Sequence, residues 1–124
     1  MIPAVIPAPD RGHVLSKATI RASQFLGLNQ GQVADVIGVS PPTISRIFND
    51  EKSIDPASKA GQLALLLIRI YRSLDVMVGA DDSARKAWMK SRNNALGGIP
   101  MDLIKQPEGL VKTLDYLDGM RAPT

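Results

Sequence analysis

Eight residues in one short stretch carry side chains suited to reading nucleic acid: Gln30, Ser40, Pro41, Pro42, Thr43, Ser45, Arg46 and Asn49. An arginine can place two N–H groups on O6 and N7 of a guanine, and an asparagine amide can pair with adenine or bind the backbone. Arg46 and Asn49 are the candidates for those two contacts. Gln30 is placed for phosphate, Ser40, Thr43 and Ser45 present hydroxyls, and Pro41 and Pro42 offer only apolar contact, for instance to a thymine methyl. Catalytic chemistry is poorly supplied. The chain has no cysteine, which removes thiolate nucleophiles, disulfides and thiolate metal sites together. His13 is the only histidine and sits in a Pro- and Gly-bearing stretch that reads as a solvated tail, so a histidine metal cluster is out of reach. The carboxylate pair Asp81–Asp82 falls where a helix cap is expected. The expectation is a non-enzyme with no cofactor, no metal and no small-molecule substrate.

The eight residues need two helices to hold them, and the pattern of residues 30–49 supplies both. Asn29 can cap a first helix with Val33, Ala34 and Ile37 on one face. Gly38 takes the tight turn and Val39 follows. Ser40 caps a second helix with Pro41 at its first position, and Ile44 and Ile47 face inward. A small residue where two helices touch and a glycine four positions later are what a helix-turn-helix requires. The polar residues then point away from the Ile44/Ile47 face, and the start of the second helix meets the major groove. A helical corner used only for packing is the other reading.

The remaining elements follow from the same rules. Residues 1–13 read as a flexible, Pro-rich arm without basic residues at its start, unlike a secretion signal. Helical spacing runs from Leu15 to Leu26 and stops at Gly27. Asp55 and Pro56 open the longest helix, which ends near Val78. Its middle, Leu63–Ile68, is apolar on every face and reads as a dimer seam or domain junction. It is stopped by Arg69, too short for a membrane span, so a cytoplasmic protein with no membrane partner is expected. Asp81 or Asp82 caps Ser83–Ser91, residues 93–98 form a loop, Pro100–Lys105 a short helix and Pro107–Met120 the last one. With five aromatic residues and no convincing strand, the fold class is all-α.

Charge adds little to the case for DNA. The formal net charge is +3, but in residues 1–55 Arg11, Lys17, Arg21, Arg46 and Lys52 are cancelled by Asp10, Asp35, Asp50, Glu51 and Asp55. Arg85, Lys86, Lys90 and Arg92 form a basic cluster that reads as a solvated helix face, with DNA phosphate or an acidic patch on a partner as the alternatives.

The C-terminal half carries a second string. Trp88 ends a helix, Arg92, Asn93 and Asn94 follow, then Leu96-Gly97-Gly98-Ile99-Pro100, and Glu108-Gly109 after Pro107. Asparagines close loops and paired glycines allow close backbone approach, so a well-made loop around a core tryptophan accounts for the string. It also resembles the C-terminal domain of the Xre/MbcA/ParS antitoxins, with Ile104-Lys105 as a departure, and with the helix-turn-helix the resemblance covers roughly residues 15–121. It implies an Xre/Cro-like helix-turn-helix followed by a small helical toxin-binding domain. The implied partner is a cognate toxin resembling the NAD-degrading RES domain, its active site covered by the C-terminal domain. The implied toxin contacts are Trp88, Arg92, Asn93, Asn94, Leu96, Gly97, Gly98, Pro100, Met120 and Arg121, with residues 119–124 reaching the pocket. Double-stranded operator DNA completes the implied partners; a homodimer is expected from the apolar Leu63–Ile68 run and from the two-fold operators such domains usually read. The domains are then an arm (1–13), the helix-turn-helix (14–55), a linking helix (56–79) and the toxin-binding domain (80–124). The alternative is a stand-alone dimeric repressor whose C-terminal domain senses or dimerises.

Overall fold

The computed structural model describes residues 10–121; of the expected arm, residues 1–9 lie outside them, as do residues 122–124 at the other end. Seven helices follow in order: α1 (Arg11–Leu26), α2 (Gln30–Ile37), α3 (Pro41–Phe48), α4 (Lys59–Met77), α5 (Asp82–Lys90), α6 (Pro100–Leu103) and α7 (Pro107–Arg121). There is no strand among the described residues, only an isolated bridge between Asn93 and Gly98. None of these helices is long and apolar enough to cross a membrane.

Side-chain caps set most of the boundaries. Asn29 accepts from the Gln32 backbone N–H while the Gln32 side chain accepts from the Asn29 N–H, a reciprocal capping box. Ser40 Oγ accepts from Thr43 N–H, and Pro41 stands at the first position of α3. Between these helices Gly38 sits at φ 72°, a left-handed turn that a side chain would strain.

Two helix starts differ from the expectation. α1 begins at Arg11, because Asp10 accepts from the His13 N–H and caps it. His13 is therefore helical, with Nδ1 3.3 Å from an Asp50 carboxylate oxygen, and does not belong to a tail. α4 begins at Lys59 under a Ser58 cap, three residues beyond Pro56. Asp55 instead closes a turn, accepting from Ala57 N–H on its carboxylate and from Ser58 N–H on its carbonyl. A methyl group on Gly61 would collide with the Asp55 carbonyl, so the glycine lets this turn fold onto the first turn of α4.

α4 is the central element, packed by α1 and α2 on the N-terminal side and by α7 from the C-terminal side. One continuous core runs through both halves, from Leu26, Val33 and Ile44 through Leu67, Ile70 and Leu74 to Met89, Leu110 and Leu117. The linking helix of the sequence reading is thus the shared spine of a single core. Its apolar run is covered by the chain itself: Ala64, Leu67 and Ile68 are buried, Leu63 and Leu66 half-buried. Only Leu65, 48% exposed, is left for anything else to cover.

Candidate nucleic-acid interface and partner surface

The α2–α3 pair buries Val33, Ala34, Val36, Ile37, Ile44 and Ile47 and turns its polar residues outward. Gln30, Ser40, Pro41, Pro42, Ser45, Arg46 and Asn49 are all exposed, and Thr43 is half-buried. Ser40 Oγ donates to Thr43 Oγ1 at 2.9 Å, which leaves the Thr43 hydroxyl hydrogen free to point outward. Arg46 makes no ion pair with a described residue and is the only basic side chain on α2 or α3. Asn49 ends α3 as its C-cap. The surface therefore offers one guanidinium, several hydroxyls and amides, and the Gln30 and Gly31 N–H groups at the start of α2; α3 instead opens on two prolines, with its Thr43 N–H donating to Ser40. That is the equipment for phosphate anchoring and one or two base contacts.

The C-terminal residues divide into two groups. Trp88 is half-buried and stacks on Tyr116, ring centroids 6.4 Å apart. Arg92, Asn94, Gly97, Met120 and Arg121 are exposed. The others build the loop. Leu96 and Pro100 are buried within this chain. The Asn93 side chain accepts from Leu96 N–H at 3.1 Å, and its backbone N–H donates to Gly98 O at 2.8 Å. Gly98 lies against Leu103, and Lys112 Nζ donates to the Leu96 carbonyl at 3.3 Å. A methyl group on Gly109 would run into the Leu103 carbonyl, so Glu108-Gly109 is where α7 meets the end of α6. The exposed part of the string is Arg92, Asn94 and Gly97, beside the half-buried Trp88–Tyr116 pair in the same half of the chain. Residues 122–124 of the expected reaching segment lie outside the described residues.

The basic cluster is not one solvated face. Arg85 is only 3% exposed. Its Nε and Nη2 donate to Asp75 Oδ1, and its Nη1 donates to Asp82 Oδ1 at 2.7 Å and to the Phe25 carbonyl at 3.1 Å. The guanidinium also lies 5.2 Å from the Phe25 ring centroid and 5.6 Å from that of Tyr71, the two rings being stacked on each other. Burial opposes its charge, but the two carboxylates outweigh that and raise its pKa above the ordinary value. Asp82 is held below its ordinary value, first by the Lys86 ammonium and then by Arg85. Lys90 and Arg92 remain exposed. Part of this hub has a local signal, since Asp82 and Arg85 are three apart on one helix. Nothing local pointed to Phe25, Tyr71 or Asp75. Among the described residues no group of three or more acidic or imidazole side chains could hold a metal.

Comparison with known proteins divides the chain along the same lines. Residues 6–69 match the antitoxin Xre-like helix-turn-helix domain, and residues 73–122 match the antitoxin Xre/MbcA/ParS C-terminal toxin-binding domain. No curated protein matches the chain.

Proposed function

The chain belongs to the Xre-like antitoxins, and from that premise we propose that it is the antitoxin of a type II module that neutralises a RES-type, NAD-degrading toxin and represses its own operon. One observation carries the reading: an exposed recognition helix and a toxin-binding fold share a single core through α4, so a bound toxin and a bound operator would ride on one body. Arg46 reads a guanine, Asn49 an adenine or the backbone, and the start of α2 takes a phosphate on its Gln30 and Gly31 N–H groups. The toxin sits on the surface around Trp88, Arg92, Asn94 and Gly97, with Met120 and Arg121 at its edge. The protein contributes binding and no catalysis, acts in the cytoplasm, and reads a two-fold operator as a homodimer.

Co-expression with the adjacent reading frame tests this. The neighbour should be toxic alone, harmless with the antitoxin, and should co-elute with it; cellular NAD should fall only when the neighbour is expressed alone. A harmless neighbour that does not co-elute would leave a plain repressor. A toxic, co-eluting neighbour that spares NAD would keep the antitoxin and remove the RES assignment.

A further inference from the structure

The seam between α1 and α4 is an open groove on the outer side of the helix-turn-helix half. Two adjoining cavities of about 530 and 370 Å³ share Ala18, Ile68 and Arg72 and so form one trough. Its line runs from Arg11 to Gln24 along α1, about 20 Å at ~1.5 Å per residue. The floor is apolar, and Val14 (55% exposed) and Leu65 (48%) stand open on it. The rim is basic: Arg11, Lys17 and Arg21 from α1, Arg69 and Arg72 from α4. α1 carries no acidic residue and α4 only Asp75, which is engaged with Arg85. Among the described residues only Arg69 of the rim has an ion pair, a 3.4 Å contact to Asp118 across exposed surface.

We infer that this groove binds an acidic amphipathic helix of a partner protein, about four turns long. Charge complementarity selects the occupant. A helix whose apolar stripe is flanked by Asp and Glu would cover Val14 and Leu65 while its carboxylates meet the rim. Duplex DNA fits poorly, because phosphates pressed onto Val14 and Leu65 lose water and find no donor there. A two-fold pairing of this face with itself would set the two basic rims against each other. The inference does not rest on the antitoxin reading, since it uses no residue of the toxin-binding or recognition surfaces.

The test is fluorescence anisotropy of the full chain with a labelled helical peptide of about sixteen residues carrying a leucine stripe flanked by glutamates. Binding in the micromolar range is expected, falling as salt rises, with Arg21→Glu/Arg72→Glu and Leu65→Asp each weakening it by about tenfold or more. Circular dichroism melts verify that both variants, changed at exposed positions, are folded. Arg46→Ala should leave the peptide bound as before. No binding, or equal binding of a scrambled peptide without the stripe, overturns the inference. So does a random duplex that displaces the peptide and is itself weakened equally by Arg21→Glu/Arg72→Glu, which makes the groove a nucleic-acid surface. Self-association in sedimentation that Leu65→Asp abolishes assigns the groove to a second copy and overturns it as well.

Discussion

The recognition helix leaves Arg46 exposed with no described carboxylate against it, whereas the junction of α4 and α5 encloses Arg85 between two rings and two carboxylates. Both are arginines in an amphipathic helix, and their environments give them opposite work. Arg46 keeps all its donors for an outside partner and contributes little to the fold. Arg85 has spent its donors on Asp75, Asp82 and the Phe25 carbonyl, and so ties α1 of the DNA-binding half to α5 of the toxin-binding half. The contrast separates residues that recognise from residues that hold the recognising surfaces in place.

Arg85→Ala should cost about 3 kcal/mol in urea unfolding, at the low end for a broken buried pair because water still reaches Asp75 and Asp82. A loss below about 0.5 kcal/mol, the level of an ordinary surface change, would put Arg85 back among solvated residues. Leu96→Ala should come next, at about 2–3 kcal/mol of stability from the cavity it opens under the loop. Toxin affinity should then follow the loss of fold; wild-type stability with weakened toxin binding would instead make Leu96 a direct contact. Arg46→Ala should leave unfolding unchanged and weaken specific DNA binding by about 1–3 kcal/mol, with less discrimination at one base position in a binding-site selection. Equal loss on operator and random duplex would reduce Arg46 to a phosphate contact.

The smallest effect concerns pH. The folded-state pKa of Asp82 lies below its ordinary 3.8, so its pairing with Lys86 and Arg85 stabilises the fold at neutral pH. That contribution is full above pH 3.8 and is lost as pH falls through the lower folded value. Asp82→Asn should therefore be less stable than the wild type at pH 7, and the gap should close on acidification below about pH 4. A gap that stays constant to pH 2 would exclude Asp82 as the titrating group.

What the sequence disclosed and what it hid divides by the range of the interaction. Asn29 with Gln32, and Ser40 with Pro41, announce helix starts through contacts within four residues, and both boundaries are found as read. The Asp55-Pro56 pair sends the same local signal, yet the helix starts at Lys59, because packing of the turn against Gly61 decides it. Arg85 looked solvated beside Lys86 and Lys90, but its burial is set by Phe25, sixty positions away, and by Tyr71. The run Leu63–Ile68 reads as a dimer seam or a domain junction, and its cover by α7 is hidden because α7 is distant in sequence. Charge was hidden by averaging: residues 1–55 balance, but α1 alone carries Arg11, Lys17 and Arg21 with no acid.

The most direct test of the division of labour is titration of the purified antitoxin–toxin complex onto its promoter duplex, wild type against Arg46→Ala. The Arg46→Ala complex should co-elute intact with its toxin and bind the promoter about ten- to hundredfold more weakly, while its affinity for random duplex hardly moves. Promoter affinity unchanged by the substitution, or a complex that falls apart, would contradict it.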